Sequence, residues 1–201
     1  VQALTTPIPE RLEPAMLRLA RFLFAPLLLI VTLLSVLALT SRPTAPPLVL
    51  STLGDQPLVI AHRGGRGLWP ENSLFAFERA SALGVDMLEM DLQLSSDGEL
   101  VVIHDTSLER TTNGEGPVAT RSLDQLQALD AGYRWTADGG ESYPYRGQGI
   151  RIPSFAEVLE RLPDIPKVIE IKVPDVGMEA QLCAVLSAND QRERVLSLIH
   201  I

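Results

Sequence analysis

The sequence predicts an α/β fold, a mainly parallel sheet with helices packed over it, preceded by a long apolar helix. Three observations carry this prediction. From about residue 57, short runs rich in Val, Ile and Leu alternate with amphipathic stretches, the pattern of βα units. Ahead of them, the 18 residues Phe22 to Leu39 (FLFAPLLLIVTLLSVLAL) carry no charge. The chain of 201 residues is 46% hydrophobic, enough for one domain with its own core.

The N-terminal run comes first. At about 1.5 Å per residue it spans roughly 27 Å, close to the hydrocarbon thickness of a bilayer. Pro26 falls in its first turns, where proline is tolerable. Arg11, Arg18 and Arg21 precede the run and only Arg42 follows closely, so the positive-inside bias keeps the N-terminus cytoplasmic. The organisation expected is a cytoplasmic segment 1–21, a single-pass transmembrane anchor 22–39, a linker 40–56 and an extracytoplasmic domain 57–201. A cleaved signal peptide competes, but its apolar region would be unusually long and Ala38-Leu39-Thr40 is a poor cleavage site. A buried core helix would need a less uniformly apolar run. SRPTAPP, Ser41 to Pro47, reads as a stiff extended linker. The start at Val1 and the end inside the apolar VLSLIHI read as those of a fragment.

Within the domain, PLVIAH is a predicted strand, and NSLFAFERASALG a helix closed by Gly84. VDMLEMDLQL and ELVVIHD are strands, while RSLDQLQALD and SFAEVLERL read as amphipathic helices. PKVIEIKV is a strand, MEAQLCAVLSAN a helix and RVLSLI a further strand, which makes about five strands. The net charge of −8 argues against a nucleic-acid partner, which needs a basic face, and leaves small phosphorylated ligands open. A single cysteine, Cys183, excludes an intramolecular disulfide or a Cys-cluster zinc site, and its helical context suggests a small core residue.

Polar residues on these strands point to chemistry. In VDMLEMDLQL, Leu88, Met90 and Leu92 share one face and Glu89, Asp91 and Gln93 the other. Glu89 and Asp91 therefore project the same way, about 7 Å apart. An isolated antiparallel strand would simply solvate them, but parallel strands are covered on both faces. Carboxylates so enclosed bind a cation or perturb one another. Glu170 and Lys172 repeat the pattern in PKVIEIKV, His104 and Asp105 end ELVVIHD, and His62 and Arg63 end PLVIAH. Strand ends converge on the mouth of a β/α barrel, where active sites sit.

SSDG, Ser95 to Gly98, departs from a plain barrel, because no crossover helix fits between Asp91 and Leu100. A hairpin pairing Leu94 with Glu99 would set Glu89 opposite His104, whereas a short extended return would bring His104 to the same mouth. The stretch VIAHRGGRGLWPENS, Val59 to Ser73, is equally unlike a core strand. Histidine moves protons near neutral pH, arginine forks onto phosphate oxygens, and Gly64, Gly65 and Gly67 allow close backbone approach or a tight turn.

These motifs together resemble the glycerophosphodiester phosphodiesterase family. HRGG with PENS, the E-x-D of Glu89 and Asp91, the HD of His104 and Asp105, and the E-x-K of Glu170 and Lys172 occur in the family's order. SLERTTNGEGPV and IPSFAEVLE resemble its connecting segments, so the likeness covers about Val59 to Val173. It implies a TIM (β/α)8 barrel, here ending after about five strands, that hydrolyses glycerophosphodiesters to glycerol 3-phosphate and an alcohol. By the same resemblance Glu89, Asp91 and Glu170 would bind one divalent cation, Ca²⁺ or Mg²⁺. His62 and His104 would be the general acid and base, Arg63 and Lys172 would hold the phosphate, and Asn72 would be a polar site residue.

Two other readings compete. One is a phospholipase D-like or phosphoinositide-cleaving relative on the same barrel, against which the carboxylate trio and E-x-K strand argue. The other is a non-catalytic, membrane-anchored module for phosphorylated polyols, which would have no need of two histidines. Tyr133 to Gly149 is Gly- and aromatic-rich, and is either a cover over the mouth or a surface loop with its own aromatic cluster.

Overall fold

The computed structural model describes residues 12–41, 48–51, 56–172 and 177–199. The chain divides into two compact units, Val1–Ala45 and Pro46–Ile201.

The first unit holds α1 (Leu12–Thr40), with Pro26 inside it. The large apolar side chains described between residues 22 and 39 are exposed, from 49% at Val36 to 86% at Leu39. The expected transmembrane span is not supported, because among the described residues no helix is long and apolar enough to cross a membrane. What the fold provides there is a helix with uncovered apolar side chains. Residues 1–11, residues 42–47 and 52–55 of the expected linker, and His200 lie outside the described residues. Within the expected linker, Leu48–Ser51 forms a helical turn, α2, and its Val49 is buried against Met87 and Val168. An apolar LVL sequence gains more from covering strand ends than from an extended course in water.

The second unit is built on a five-stranded sheet: β1 (Ile60–Ala61), β2 (Met87–Leu94), β3 (Leu100–Val102), β4 (Lys167–Ile171) and β5 (Val195–Ile199). Its helices are α3 (Leu74–Ala82), α4 (Leu123–Gln127), α5 (Phe155–Arg161) and α6 (Met178–Ala188). The order β1-β2-β4-β5 is parallel throughout, as successive βα units require, and β3 pairs antiparallel with β2. All five expected strands are present, but only these four are barrel-type parallel strands. Leu88 pairs with both Ala61 and Lys167, and Leu92 with both Val102 and Ile171. Strands β1 and β3 therefore share one edge of β2.

Helix ends follow their sequence signals. Ser73 caps α3 by accepting from the Ala76 amide. Gly84, at φ 79°, closes it as a Schellman motif: its amide donates to Ser81, and the Val85 amide to Ala80. Ser122 with Gln125 and Ser154 with Glu157 form capping boxes on α4 and α5.

Both faces of β2 are buried, as parallel neighbours demand. Leu88, Met90 and Leu92 pack with Ile169 and Ile171 beneath Phe77 of α3, Phe155 and Val158 of α5 and Leu182 of α6. The opposite face carries Glu89, Asp91 and Gln93. Lys167, at the start of β4, is fully buried and donates to the carbonyls of Leu162 and Ile165, at the end away from the acidic cluster. Cys183 is exposed on α6 rather than in the core, since the buried residues of that helix are Met178, Leu182 and Leu186.

The hairpin alternative is the one adopted, in a register one residue from that expected. Leu94 pairs with Leu100, and the Ile103 amide donates to the Asp91 carbonyl. Ser95 sets this register, as its backbone amide donates to the Glu99 carbonyl and its hydroxyl bonds Asp97. Glu89 is consequently not opposite His104.

Candidate active site

The site begins where β1 ends. His62 to Gly64 form a 3₁₀ turn in which Arg63 takes a left-handed conformation, φ 51° and ψ 34°. That strain lets the Arg63 amide donate to Glu89 Oε2 at 2.6 Å. Asn72 is left-handed too, φ 54°, and its amide donates to the Arg63 carbonyl at 3.0 Å. The two strained residues thus clip both ends of the loop together. Gly64 and Gly65 have φ of 75° and 91°, and a Cβ on Gly64 would stand 2.7 Å from Phe77. Of the two uses open to these glycines, the turn and the close packing on α3 are what the geometry displays.

Asp91 and Glu170 are side by side on neighbouring strands, and Glu89 lies two residues back on the same face. One ligand oxygen from each of Glu89, Asp91 and Glu170 lies within 4.8 Å of the others. Asp91 is completely buried; its Oδ2 accepts from Asn72 Nδ2 at 2.7 Å and faces Arg63 Nε at 3.3 Å. Its Oδ1 has no hydrogen bond and lies 3.1 Å from the Lys172 ammonium. Lys172 also bonds Glu170, so its ammonium bridges two members of the trio. Burial works against that charge, yet the contacts with Glu170 and Asp91 prevail and raise the Lys172 pKa.

Three carboxylates in so small a space are difficult to ionise together. Burial first, then Asp91 and Glu170, push the Glu89 carboxyl up to about 7 despite the Arg63 amide. Hard oxygen donors at this spacing, one of them a buried Asp91 oxygen without a hydrogen bond, fit a divalent cation.

The histidines differ. His62 is exposed, with Nε2 4.0 Å from Glu89 Oε2, and burial, then Arg63 and Arg66, lower its pKa. His104 stands on the loop after β3, where its carbonyl accepts from Gln93 Nε2 at 2.9 Å. Its Nδ1 is 2.6 Å from Asp105 Oδ1. Arg110 grips the same carboxylate at 2.5 and 3.0 Å and, more than any other contact, holds Asp105 down at about 2. An ionised Asp105 only accepts, so the proton sits on His104 Nδ1 and Nε2 is left for chemistry. A narrow crevice runs from His104 past Glu71 to Asn72, which links it to the carboxylates.

Every site residue predicted from the sequence lies at this end of the sheet. Arg63 and Lys172, however, face carboxylates: Arg63 also pairs with Glu71 at 3.0 Å. Glu71, Asp105 and Arg110 carry no role in the sequence reading. Glu71 joins Arg63 to Arg110, which it engages at 2.7 and 2.9 Å. Glu71 and Asp105 belong to the PENS and HD motifs and could have been found; Arg110, 39 residues from Glu71, gives no local signal.

The model of the glycerophosphoryl diester phosphodiesterase family matches residues 62–197. A glycerophosphodiester phosphodiesterase of Caldanaerobacter subterraneus subsp. tengcongensis is 41% identical over 144 residues, covering 69% of this chain and 56% of the relative. One from Bacillus subtilis is 40% identical over 139 residues, with coverages of 66% and 46%. The chain thus spans about half the length of the curated relatives it matches. Among solved structures, the glycerophosphoryl diester phosphodiesterase domain of a Mycobacterium tuberculosis protein superposes with TM-score 0.67 at 32% identity, over 72% of this chain and 53% of that one. An Oleispira antarctica phosphodiesterase, solved with the product sn-glycerol-3-phosphate, gives TM-score 0.59 at 34% identity, with coverages of 71% and 56%. The parallel sheet and these likenesses support the TIM-barrel-like α/β fold expected from the sequence. With the match opening at His62 and running through both histidines and all three carboxylates, the chain belongs to the glycerophosphoryl diester phosphodiesterase family.

Proposed function

We propose that the protein hydrolyses glycerophosphodiesters to sn-glycerol 3-phosphate and an alcohol, using one divalent cation, Ca²⁺ or Mg²⁺. The observation that carries this reading is the trio Glu89, Asp91 and Glu170 within 4.8 Å, flanked by two histidines of different environment. The trio would hold the cation, which when bound neutralises charge on the phosphoryl oxygens. A phosphodiester repels nucleophiles, and charge grows on its oxygens in the transition state. Lys172 and Arg63, at the rim and floor of the trio, supply further positive charge to phosphate. His62 and His104 move the protons: one deprotonates the attacking oxygen and the other protonates the departing alkoxide. Asp105 keeps His104 in the tautomer with Nε2 available. Asn72 orients Asp91 by bonding both its carboxylate and its amide.

Assays of the intact protein on glycerophosphoglycerol and glycerophosphocholine, with and without chelator, test the reading. Release of glycerol 3-phosphate that stops on chelation and returns with Mg²⁺ or Ca²⁺ is expected. Turnover undiminished by chelator, with Asp91→Asn fully active, would remove the cation from the reaction.

Attachment to a membrane through α1, with the catalytic unit on the extracytoplasmic side, is part of the same proposal. It rests on the uncovered apolar side chains of α1 and the arginines before residue 22. The protein should stay in the membrane fraction after a high-salt wash and be digested by protease added outside intact cells. Recovery in the soluble fraction refutes the attachment.

A further inference from the structure

Beside the catalytic carboxylates lies a second cavity, of about 250 Å³, lined by Arg66, Glu71, Arg110, Arg134, Trp135 and Thr136 among others. Its residues come from three separate stretches: the loop after β1, the segment after His104, and the Gly- and aromatic-rich segment. Their meeting is built. Trp135 Nε1 donates to the Arg66 carbonyl at 3.1 Å, and Tyr145 packs edge-on against both Trp135 and Phe75 of α3. Arg146 stacks on Tyr133 and Tyr143, each at 4.1 Å, which stiffens the segment that presents Arg134 and Trp135.

The charges in this cavity do not cancel. Arg110 is matched by Glu71 and Asp105. Among the described residues, Arg66 and Arg134 have no carboxylate within ion-pair distance; the Arg134 guanidinium makes one long hydrogen bond, to the Thr112 carbonyl at 3.4 Å, and lies 5.3 Å from the centre of the Tyr133 ring. Two unmatched guanidinium groups in one concavity, on a chain of net charge −8, form a local anion site. Glu71 and Thr111 line both this cavity and the narrow crevice that reaches His104, so the two adjoin.

We infer that this cavity receives a second anionic group, a phosphate or a carboxylate, carried by the alcohol half of the substrate. The inference rests on the proposed hydrolysis and specifies its substrate class: glycerophosphodiesters whose alcohol carries an anionic group of its own. Arg66 and Arg134 fork onto that anion, and the Trp135 ring flanks the intervening carbons.

Matched substrate pairs test it on the intact protein. Glycerophosphoglycerol with and without a terminal phosphate differs only in the second phosphate; glycerophosphoserine and glycerophosphoethanolamine differ only in the carboxylate. The anionic member of at least one pair should have the higher kcat/KM, mainly through KM, and the preference should shrink as salt is raised. Arg66→Gln and Arg134→Gln should each lower kcat/KM for that member about tenfold. Turnover of its uncharged or cationic partner should change less than about threefold, which also shows that the variants fold. Preference for the phosphate pair alone or the carboxylate pair alone identifies which anion is bound. Equal kcat/KM within both pairs, or equal losses on both members in the variants, overturns the subsite and leaves the hydrolase standing. Hydrolysis of none of the four overturns the hydrolase and the subsite together.

Discussion

Asp91 and Asp105 are both aspartates at the mouth, and their surroundings separate their roles. Asp91 is fully buried among Asn72, Arg63 and Lys172, so Asp91→Asn should weaken cation binding and turnover together. Replacing His62 or His104 with Ala should instead lower turnover by about 10²–10⁴-fold with cation affinity nearly unchanged. Calorimetric cation titration beside steady-state assays separates these outcomes, and His62→Ala abolishing cation binding would reverse the assignment. Asp105 serves His104 through one short hydrogen bond. Asp105→Asn should reduce kcat about tenfold or more with little change in KM. Its carboxyl sits at about 2, against an ordinary 3.8, chiefly because Arg110 bonds it. The folded pKa is depressed, so its contribution to stability is present above about pH 4 and fades as pH falls towards 2. The difference in Tm between the wild type and Asp105→Asn should shrink as pH falls from about 4 towards 2.

At the scale of elements, the loop between β1 and α3 is where local rules are broken. Arg63 and Asn72 are left-handed without being glycine, and both hold groups that the carboxylates use. Gly64 lets this loop lie against α3, since a Cβ there meets Phe77 at 2.7 Å as well as a positive φ. Gly64→Ala should therefore destabilise the protein by about 2 kcal/mol. It should also lower activity, by moving the Arg63 amide off Glu89. Gly67→Ala, which meets nothing within 4 Å, should leave both unchanged. Denaturation midpoints and turnover for the pair check this, and an equal loss in both would show that the loop needs general flexibility instead.

For the whole molecule, β2 divides the labour, with Leu88, Met90 and Leu92 under the helices and Glu89, Asp91 and Gln93 on the functional face. The surrounding core holds the acidic cluster together, and burial first, then repulsion from Asp91 and Glu170, push the Glu89 carboxyl up to about 7. A cation binding only the folded state should relieve this and raise Tm, by roughly 2.7 kcal/mol of added stability at a hundredfold excess over Kd. Thermal melts with Mg²⁺ or Ca²⁺ should show the rise in the wild type and not in Asp91→Asn. An equal rise in both would place the cation elsewhere.

Which residues could form this site was legible in the chain. Period-two alternation puts Glu89 with Asp91 and Glu170 with Lys172, because successive side chains leave a strand on opposite faces. Gly84 likewise announced the end of α3, because a helix end must satisfy its orphan backbone groups locally, and amphipathic patterning announced α4 and α5. The remainder depends on partners distant in the chain. The hairpin register came out one residue from expectation, since turn hydrogen bonds at Ser95 and packing on β2 choose between registers that sequence leaves close in energy. That Arg63 and Lys172 also serve as counterions of carboxylates is a matter of which charges burial forces together. Arg110 entered the site, and Arg66 and Arg134 met in one cavity, through side-chain contacts between separate loops that no local pattern encodes.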